Sequence, residues 1–122
     1  MRFVVVSRHD GTVVCERCAD AGSPFARMKG LLGRRYLPPG EGILLRPASS
    51  IHTAFMRFPI DAVFLDRGGA VLRVDRELPA WRASACRGSK AVLELSAGEA
   101  ERRGLEVGDL LRWEEAGARG DA

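Results

Sequence analysis

The sequence predicts a mainly β protein of the α+β class, in which a small antiparallel sheet forms a barrel or a sandwich and carries two short helices. Many short β-rich runs are separated by turns that contain glycine or proline, and only two segments have helical signals. The length of 122 residues fits one domain. We expect this domain to cover residues 1–113 and the small, charged residues 114–122 to fray.

The first predicted element is an antiparallel hairpin. Residues 2–7 and 12–15 are β-rich, and Asp10-Gly11 lies between them. An Asp-Gly pair accepts the positive φ angles of a tight turn, so the two strands are expected to pair directly.

A helix is predicted over residues 23–33. Ser23 can cap its N-terminus, and Pro24 fits the first helical position. Three apolar residues are spaced so that they share one helix face: Phe25, Met28 and Leu32.

The second half of the chain continues the β pattern. We predict strands over residues 43–45, 60–66, 70–78, 91–95 and 110–113, and a helix over residues 97–103. Gly68-Gly69 predicts a hairpin turn between the second and third of these strands, and Gly104 ends the helix.

The most informative stretch is residues 50–61, where polar groups interrupt a run that otherwise has the composition of a buried strand. Side-chain alternation places Asp61 on the same face as Val63 and Leu65. Because an unpaired buried carboxylate is costly, Asp61 needs partners. We expect these to be backbone N–H groups near the bend at Pro59, or an arginine such as Arg57, so that Asp61 stabilises the bend.

Other candidate site residues allow several roles. His52 could be a general base, a donor to a ligand, or a core histidine. Arg57 could be a solvated strand residue or could bind an anionic ligand through its planar guanidinium. Trp81 follows a strand and a proline, and it could cap the core or form the wall of a pocket. We favour the core position for Trp81.

The three cysteines do not predict a metal site, a cofactor or a disulfide framework. Cys15 and Cys18 form a Cys-x-x-Cys pair, but the pair comes at the end of a predicted strand and not at a helix N-terminus, where a redox pair is expected. Zinc requires about four ligands, and Cys86 with two isolated histidines does not complete such a set.

Charge and hydropathy set the expected location and partners. The net charge of +3 comes from scattered arginines and does not form the dense basic stripe of a specific nucleic-acid interface. The apolar runs are far shorter than the roughly 20 residues that span a bilayer, and the first residues do not form a secretory signal. We therefore expect a cytoplasmic protein that binds neither a membrane nor specific nucleic acid.

Four blocks in a fixed order resemble the uncharacterised family called domain of unknown function 192. The blocks are RMKGLLGR at residues 27–34, HTAFMRFPID at 52–61 with FLD at 64–66, VLELSAG at 92–98, and GLEVGD at 104–109. The resemblance implies a compact, mainly β domain and supplies no established reaction, substrate or cofactor. Many members of the family carry tryptophan at the position of His52, which implies that His52 is not an obligatory catalytic group. The cysteine pair is not part of the family pattern.

Three hypotheses for function follow. The leading one is a non-catalytic binding or accessory module, monomeric or weakly dimeric, in which a groove for a small ligand or protein partner is formed by His52, Phe55, Arg57, Asp61 and Trp81. The alternative is a small hydrolase or acid–base enzyme that uses His52 and Asp61 across a cleft. A scaffold protein with an exposed sheet edge is the third.

Overall fold

The computed structural model describes residues 2–21, 36–54 and 56–116. These residues contain nine strands and one short helix. The strands are β1 Arg2–Arg8, β2 Val13–Ala21, β3 Glu41–Leu45, β4 Ser50–His52, β5 Ile60–Leu65, β6 Val71–Leu78, β7 Ala83–Ala85, β8 Ala91–Ser96 and β9 Leu111–Glu115. The helix, α1, covers Glu99–Arg102 and follows β8.

Seven strands form one sheet in the order β6-β5-β8-β3-β2-β1-β9. Neighbouring strands are antiparallel except for β2 and β3, which are parallel. The sheet curls into a half-barrel, and its two edge strands approach each other at one end. Ala70 and Leu110 form an isolated bridge there, and the Leu111 N–H donates to the Gly69 carbonyl at 2.9 Å.

Gly69 shows why a glycine-containing turn is required at this closure. Its φ of +90° is strained for other residues, and a Cβ at this position would lie 2.2 Å from the Leu111 carbonyl oxygen. The hairpin turn predicted at residues 67–69 is therefore confirmed. Its glycine also allows the last strand to approach the turn closely.

The sheet is buried on both faces over the adjacent strands β5, β8 and β3, and β5 is buried along its whole length. One core lies on the face of β5 that carries Val63 and Leu65, and it includes Leu105 after the helix. The other core lies on the opposite face, where Ile60, Ala62 and Phe64 of β5 contact residues from outside the sheet. These covering residues are Leu37, Ile51, Met56 and Phe58. Ile51, Met56 and Phe58 therefore cover one face of the sheet.

The ribbon formed by β4 and β7 is the main departure from the predicted order of elements. The run from residue 50 is a strand only as far as His52, and its partner Ala83–Ala85 was not predicted. The predicted mainly β class and the helix within residues 97–103 are confirmed. The helix predicted over residues 23–33 lies outside the described residues.

Strand β2 corrects the expectation that a strand ends at Cys15. The strand continues to Ala21, and its pairing with β1 shifts between Val6↔Cys15 and Val4↔Cys18. This bulge places two residues, Glu16 and Arg17, between the inward-facing cysteines. Both cysteines are consequently buried in the same core.

Among residues 2–21, 36–54 and 56–116, no helix has the length and apolar character needed to cross a membrane.

Candidate functional site

Asp61 is fully buried, and both of its carboxylate oxygens are bonded to backbone groups. Oδ1 accepts a hydrogen bond from the Glu77 N–H at 2.8 Å. Oδ2 accepts from the N–H groups of Gly98 at 3.0 Å and Ala100 at 2.8 Å. The Asp61 network, defined as this carboxylate and its three donors, joins β5 to β6 and to the start of α1. Hydrogen bonds from backbone N–H groups to a carboxylate are stronger than those between neutral groups.

The Asp61 network corrects the predicted partners of this carboxylate. The donors are backbone N–H groups, as one expectation allowed, but they come from distant segments and not from the Pro59 bend or from Arg57. The φ of Gly98 is +92°, and that of Glu77 is +51°. Asp61 therefore stabilises two sites of unusual backbone conformation, a bulge near the end of β6 and the N-cap of α1, and its carboxylate is directed into the protein.

An ion-pair network fixes α1 against β2 close to the Asp61 network. Arg103 contacts Glu16 at 2.7 Å and Glu99 at 3.2 Å, and Arg102 contacts Glu99 at 2.6 Å. A hydrogen bond from Arg103 lowers the pKa of Glu16. Burial raises the pKa of Glu99, but the bonds and charges of Arg102 and Arg103 outweigh burial and lower it overall.

The β4–β7 ribbon has one covered face and one exposed face. Ser50 pairs with Ala85, and His52 pairs with Ala83; all four residues are exposed. Ile51, between them, belongs to the core on the other side. The exposed face therefore consists of three small residues, Ser50, Ala83 and Ala85, beside the imidazole of His52.

Thr53 holds the turn that leads into β7. Its side chain is fully buried, and its Oγ1 donates to the Pro79 carbonyl at 2.6 Å and accepts from the Arg82 N–H at 2.8 Å. Its backbone N–H donates to the Arg82 carbonyl at 2.7 Å, and its carbonyl accepts from the Trp81 N–H at 3.0 Å. Four hydrogen bonds from one residue therefore determine the position of residues 79–82.

Trp81 projects from this turn into solvent. Trp81 is 61% exposed, and its φ is +63°, a conformation that non-glycine residues rarely adopt. The expectation that Trp81 caps the core is wrong, because the turn held by Thr53 directs the residue outward. We call the exposed residues of the ribbon and this turn the ribbon surface: Ser50, His52, Pro79, Trp81, Arg82, Ala83 and Ala85.

Two candidate site residues remain, Arg57 and Phe55. Arg57 is exposed, between the buried residues Met56 and Phe58. Phe55 lies outside the described residues. The structure thus brings His52 and Trp81 to one surface, whereas Asp61 is buried elsewhere with its oxygens bonded to backbone donors.

The pair His52 and Asp61 does not form an acid–base arrangement in this structure. His52 is exposed on β4, and the Asp61 carboxylate accepts three backbone hydrogen bonds in the interior. A general base must reach the proton of a substrate, and a carboxylate enclosed in this way does not.

The cysteine pair also has an interior environment. Burial, together with a hydrogen bond that the Cys18 S–H donates to Cys15, raises the pKa of the Cys18 thiol well above its usual range. Reactive cysteines are partly exposed thiolates, whereas Cys15 and Cys18 are both buried. Within residues 2–21, 36–54 and 56–116, no group of three or more His, Cys, Asp or Glu side chains is placed to hold a metal ion.

The residues that sequence reasoning missed are Thr53 and the strand β7. Threonine in a β-rich run is unremarkable, and Ala83-Ser84-Ala85 lacks the branched and aromatic residues that identify a strand. The only local signal was Pro79, which ends β6 and makes a turn before residue 83 expected.

Comparisons with known proteins agree on an uncharacterised family. The sequence model of domain of unknown function 192 (DUF192), described as an uncharacterized ACR, matches residues 5–113. A UPF0127 protein from Thermococcus sibiricus is 30% identical over 120 residues, which cover 91% of this chain and 75% of that protein.

Two crystal structures share the fold. A protein of unknown function from Novosphingobium aromaticivorans has a TM-score of 0.76 and 25% identity, over 91% of this chain and 84% of that one. A protein from Sinorhizobium meliloti, whose description proposes a transcription regulator, has a TM-score of 0.77 and 25% identity, over 95% of this chain and 94% of that one.

Proposed function

We propose that the protein is a non-catalytic accessory module. The chain belongs to the DUF192 family, whose members have no established activity. In this proposal the ribbon surface binds a segment of a protein partner. Trp81 is the central contact, and Arg82 next to it and His52 on the paired strand supply cationic and polar contacts.

The observation that carries the proposal is the exposed Trp81 on a strained backbone. A φ of +63° at a tryptophan costs free energy, and four hydrogen bonds from Thr53 maintain the turn that contains it. Large aromatic side chains that are held in an exposed position contribute strongly to protein interfaces, because they bury a large area at a small cost in conformational entropy.

The composition around Trp81 favours a protein segment of acidic and apolar character. Arg82 is exposed next to Trp81, and His52 lies across from Ala83 on the ribbon. Small residues beside the imidazole leave room for a partner backbone to approach. Arginine and aromatic residues are enriched in the centres of protein interfaces.

The acid–base alternative receives no support from the geometry of the described residues. It requires a carboxylate that faces a substrate, and Asp61 is enclosed by backbone donors.

The test begins with a photo-crosslinking amino acid in place of Trp81 in the full chain, expressed in the source organism. A second chain carries it in place of Val107, which has a similar exposure of 66% and lies outside the ribbon surface. We expect a protein adduct from position 81 that position 107 does not give.

The identified partner is then purified and titrated by calorimetry. W81A should weaken its binding by about thirtyfold, because a central aromatic contact contributes about 2 kcal/mol or more. V107A should leave the affinity unchanged. Equal adducts from both positions, or equal affinities of W81A and V107A, would contradict the proposal.

Three finer features also belong to the proposal. We place the protein in the cytoplasm, where the free thiols of Cys15, Cys18 and Cys86 would remain reduced. We propose a monomer or weak dimer. We also retain the helix over residues 23–33, supported by its cap and its apolar spacing.

A further inference from the structure

We propose that a basic cleft at one end of the sheet binds the phosphate group of a small organic phosphate. The cleft has a volume of about 470 Å³ and is lined by Arg2, Asp20, Arg46, Pro47 and Lys90. This volume lies in the range of small-molecule sites, about 300 to 1,000 Å³. None of these residues belongs to the ribbon surface, so the site is independent of the proposed protein interface.

Strand ends place the charged groups together. Arg2 opens β1 and pairs with Asp20 near the end of β2. Arg46 directly follows β3, which is parallel to β2, so the ends of both strands lie side by side. Lys90 precedes β8, and its N–H donates to the Leu65 carbonyl at 2.8 Å. Regular backbone elements therefore fix the rim of the cleft.

Arg46 is held in one orientation by two contacts. Its Nε and Nη2 donate to the Asp20 carboxylate at 3.2 and 2.7 Å, and its guanidinium lies 5.5 Å from the centre of the Trp113 ring. The Arg46 side chain is still 41% exposed, whereas that of Asp20 is 9% exposed. The Nη1 group is not used in the pair with Asp20 and can donate to an anion. A prepositioned arginine loses little entropy when it binds.

The other two cations lack strong competing partners within the described residues. Lys90 is exposed and makes no ion pair with a described carboxylate. Arg2 contacts Glu115 at 3.2 Å, but both side chains are mostly exposed, and such surface pairs contribute little. Three cations line the cleft, together with one carboxylate, Asp20, which is already paired with Arg46. The cleft therefore favours a doubly charged phosphate over a single carboxylate.

The experiment is calorimetric titration of the full chain with inorganic phosphate, phenyl phosphate and succinate. We expect saturable binding of one phosphate per chain and binding of phenyl phosphate at least as tight. K90A should weaken phosphate binding about tenfold, because a charge-assisted contact is lost. R102A is the matched control: Arg102 is exposed, and Glu99 keeps its contact with Arg103 in this variant.

A second variant, a folding check and a titration with DNA complete the test. R2A should weaken binding by a smaller factor than K90A, and circular dichroism should show that all variants are folded. Equal affinities of K90A and R102A, or succinate binding as tight as phosphate, would overturn the proposal. Binding of a DNA duplex that K90A abolishes, without binding of either phosphate compound, would also overturn it, because the cleft would then be part of a nucleic-acid footprint.

Discussion

The Asp61 network and the ribbon surface contain residues from opposite ends of the same twelve-residue stretch, 50–61, yet Asp61 and His52 have opposite environments. Asp61 is fully buried and accepts three backbone hydrogen bonds. His52, nine residues earlier, is exposed on a two-stranded ribbon beside Trp81. The first region uses its polar group for the fold, whereas the second presents its polar group to solvent.

This difference shows how a polar residue in a β-rich run is to be interpreted. A carboxylate that replaces missing backbone partners is part of the architecture, because its hydrogen-bonding capacity is already used. An exposed tryptophan on a turn that hydrogen bonds maintain is a candidate for binding. The following predictions test this contrast between the two regions.

The largest expected effect is in the Asp61 network. D61A leaves the N–H groups of Glu77, Gly98 and Ala100 without their acceptor, and we expect a loss of about 3–4 kcal/mol in the free energy of unfolding. D61N keeps one carbonyl oxygen and should lose less. Urea unfolding at pH 7 measures both variants. A loss below about 1 kcal/mol in D61A would show that the network contributes little to stability.

The next effect concerns Thr53, which links the core to the ribbon surface. T53V keeps the shape of the side chain but removes the hydroxyl that bonds to Pro79 and Arg82, and we expect a loss of about 1–2 kcal/mol. Hydrogen exchange of the Arg82 amide should accelerate. T53S retains a hydroxyl and is the control. An unchanged exchange rate in T53V would contradict the role assigned to Thr53.

A smaller effect is expected from pH at the ion-pair network beside Asp61. Because the pKa values of Glu16 and Glu99 are lowered in the folded state, these carboxylates stabilise it above their unfolded pKa. The stabilisation is lost as the pH falls below about 4.5 and through the lower folded pKa values. Urea midpoints of an E16Q/E99Q double variant should therefore depend less on pH in this window. E101Q, at an exposed position, should keep the wild-type slope.

The smallest effect on stability is expected at the ribbon surface. H52A and W81A should change the free energy of unfolding by no more than about 0.5 kcal/mol, because both residues are exposed. W81G should be at least as stable as W81A, since glycine adopts the positive φ without strain. Thermal unfolding compares the three. A loss above about 2 kcal/mol in W81A would place Trp81 in the architecture and remove the contrast with Asp61.

Much of the fold was predictable because its signals are local. The turns at Gly11 and Gly69 have the positive φ angles that the sequence requires, and most strands lie where β-rich runs predicted them. The ribbon was not predictable, since β7 consists of small residues without strand propensity. The continuation of β2 past Cys15 depends on a bulge, and pairing with β1 decides where a bulge occurs.

The candidate site was predictable only in part. Sequence reasoning selected Asp61 as a carboxylate that must have partners, because burial in an apolar strand leaves no other outcome. It could not select Thr53, since the hydrogen bonds of Thr53 join it to residues 26 and 29 positions away. It also placed Trp81 in the core, because hydrophobicity alone does not reveal the direction in which a turn points.

The sequence by itself determined the family, the mainly β class and the need of Asp61 for hydrogen-bond donors. Only the tertiary structure decided which donors satisfy it, that His52 and Trp81 share a surface, and that Arg2, Arg46 and Lys90 line one cleft. The physical reason is the range of the interactions. Turn geometry and strand propensity act between near neighbours, whereas the donors of Asp61 lie 16, 37 and 39 residues away and meet it only when the sheet closes.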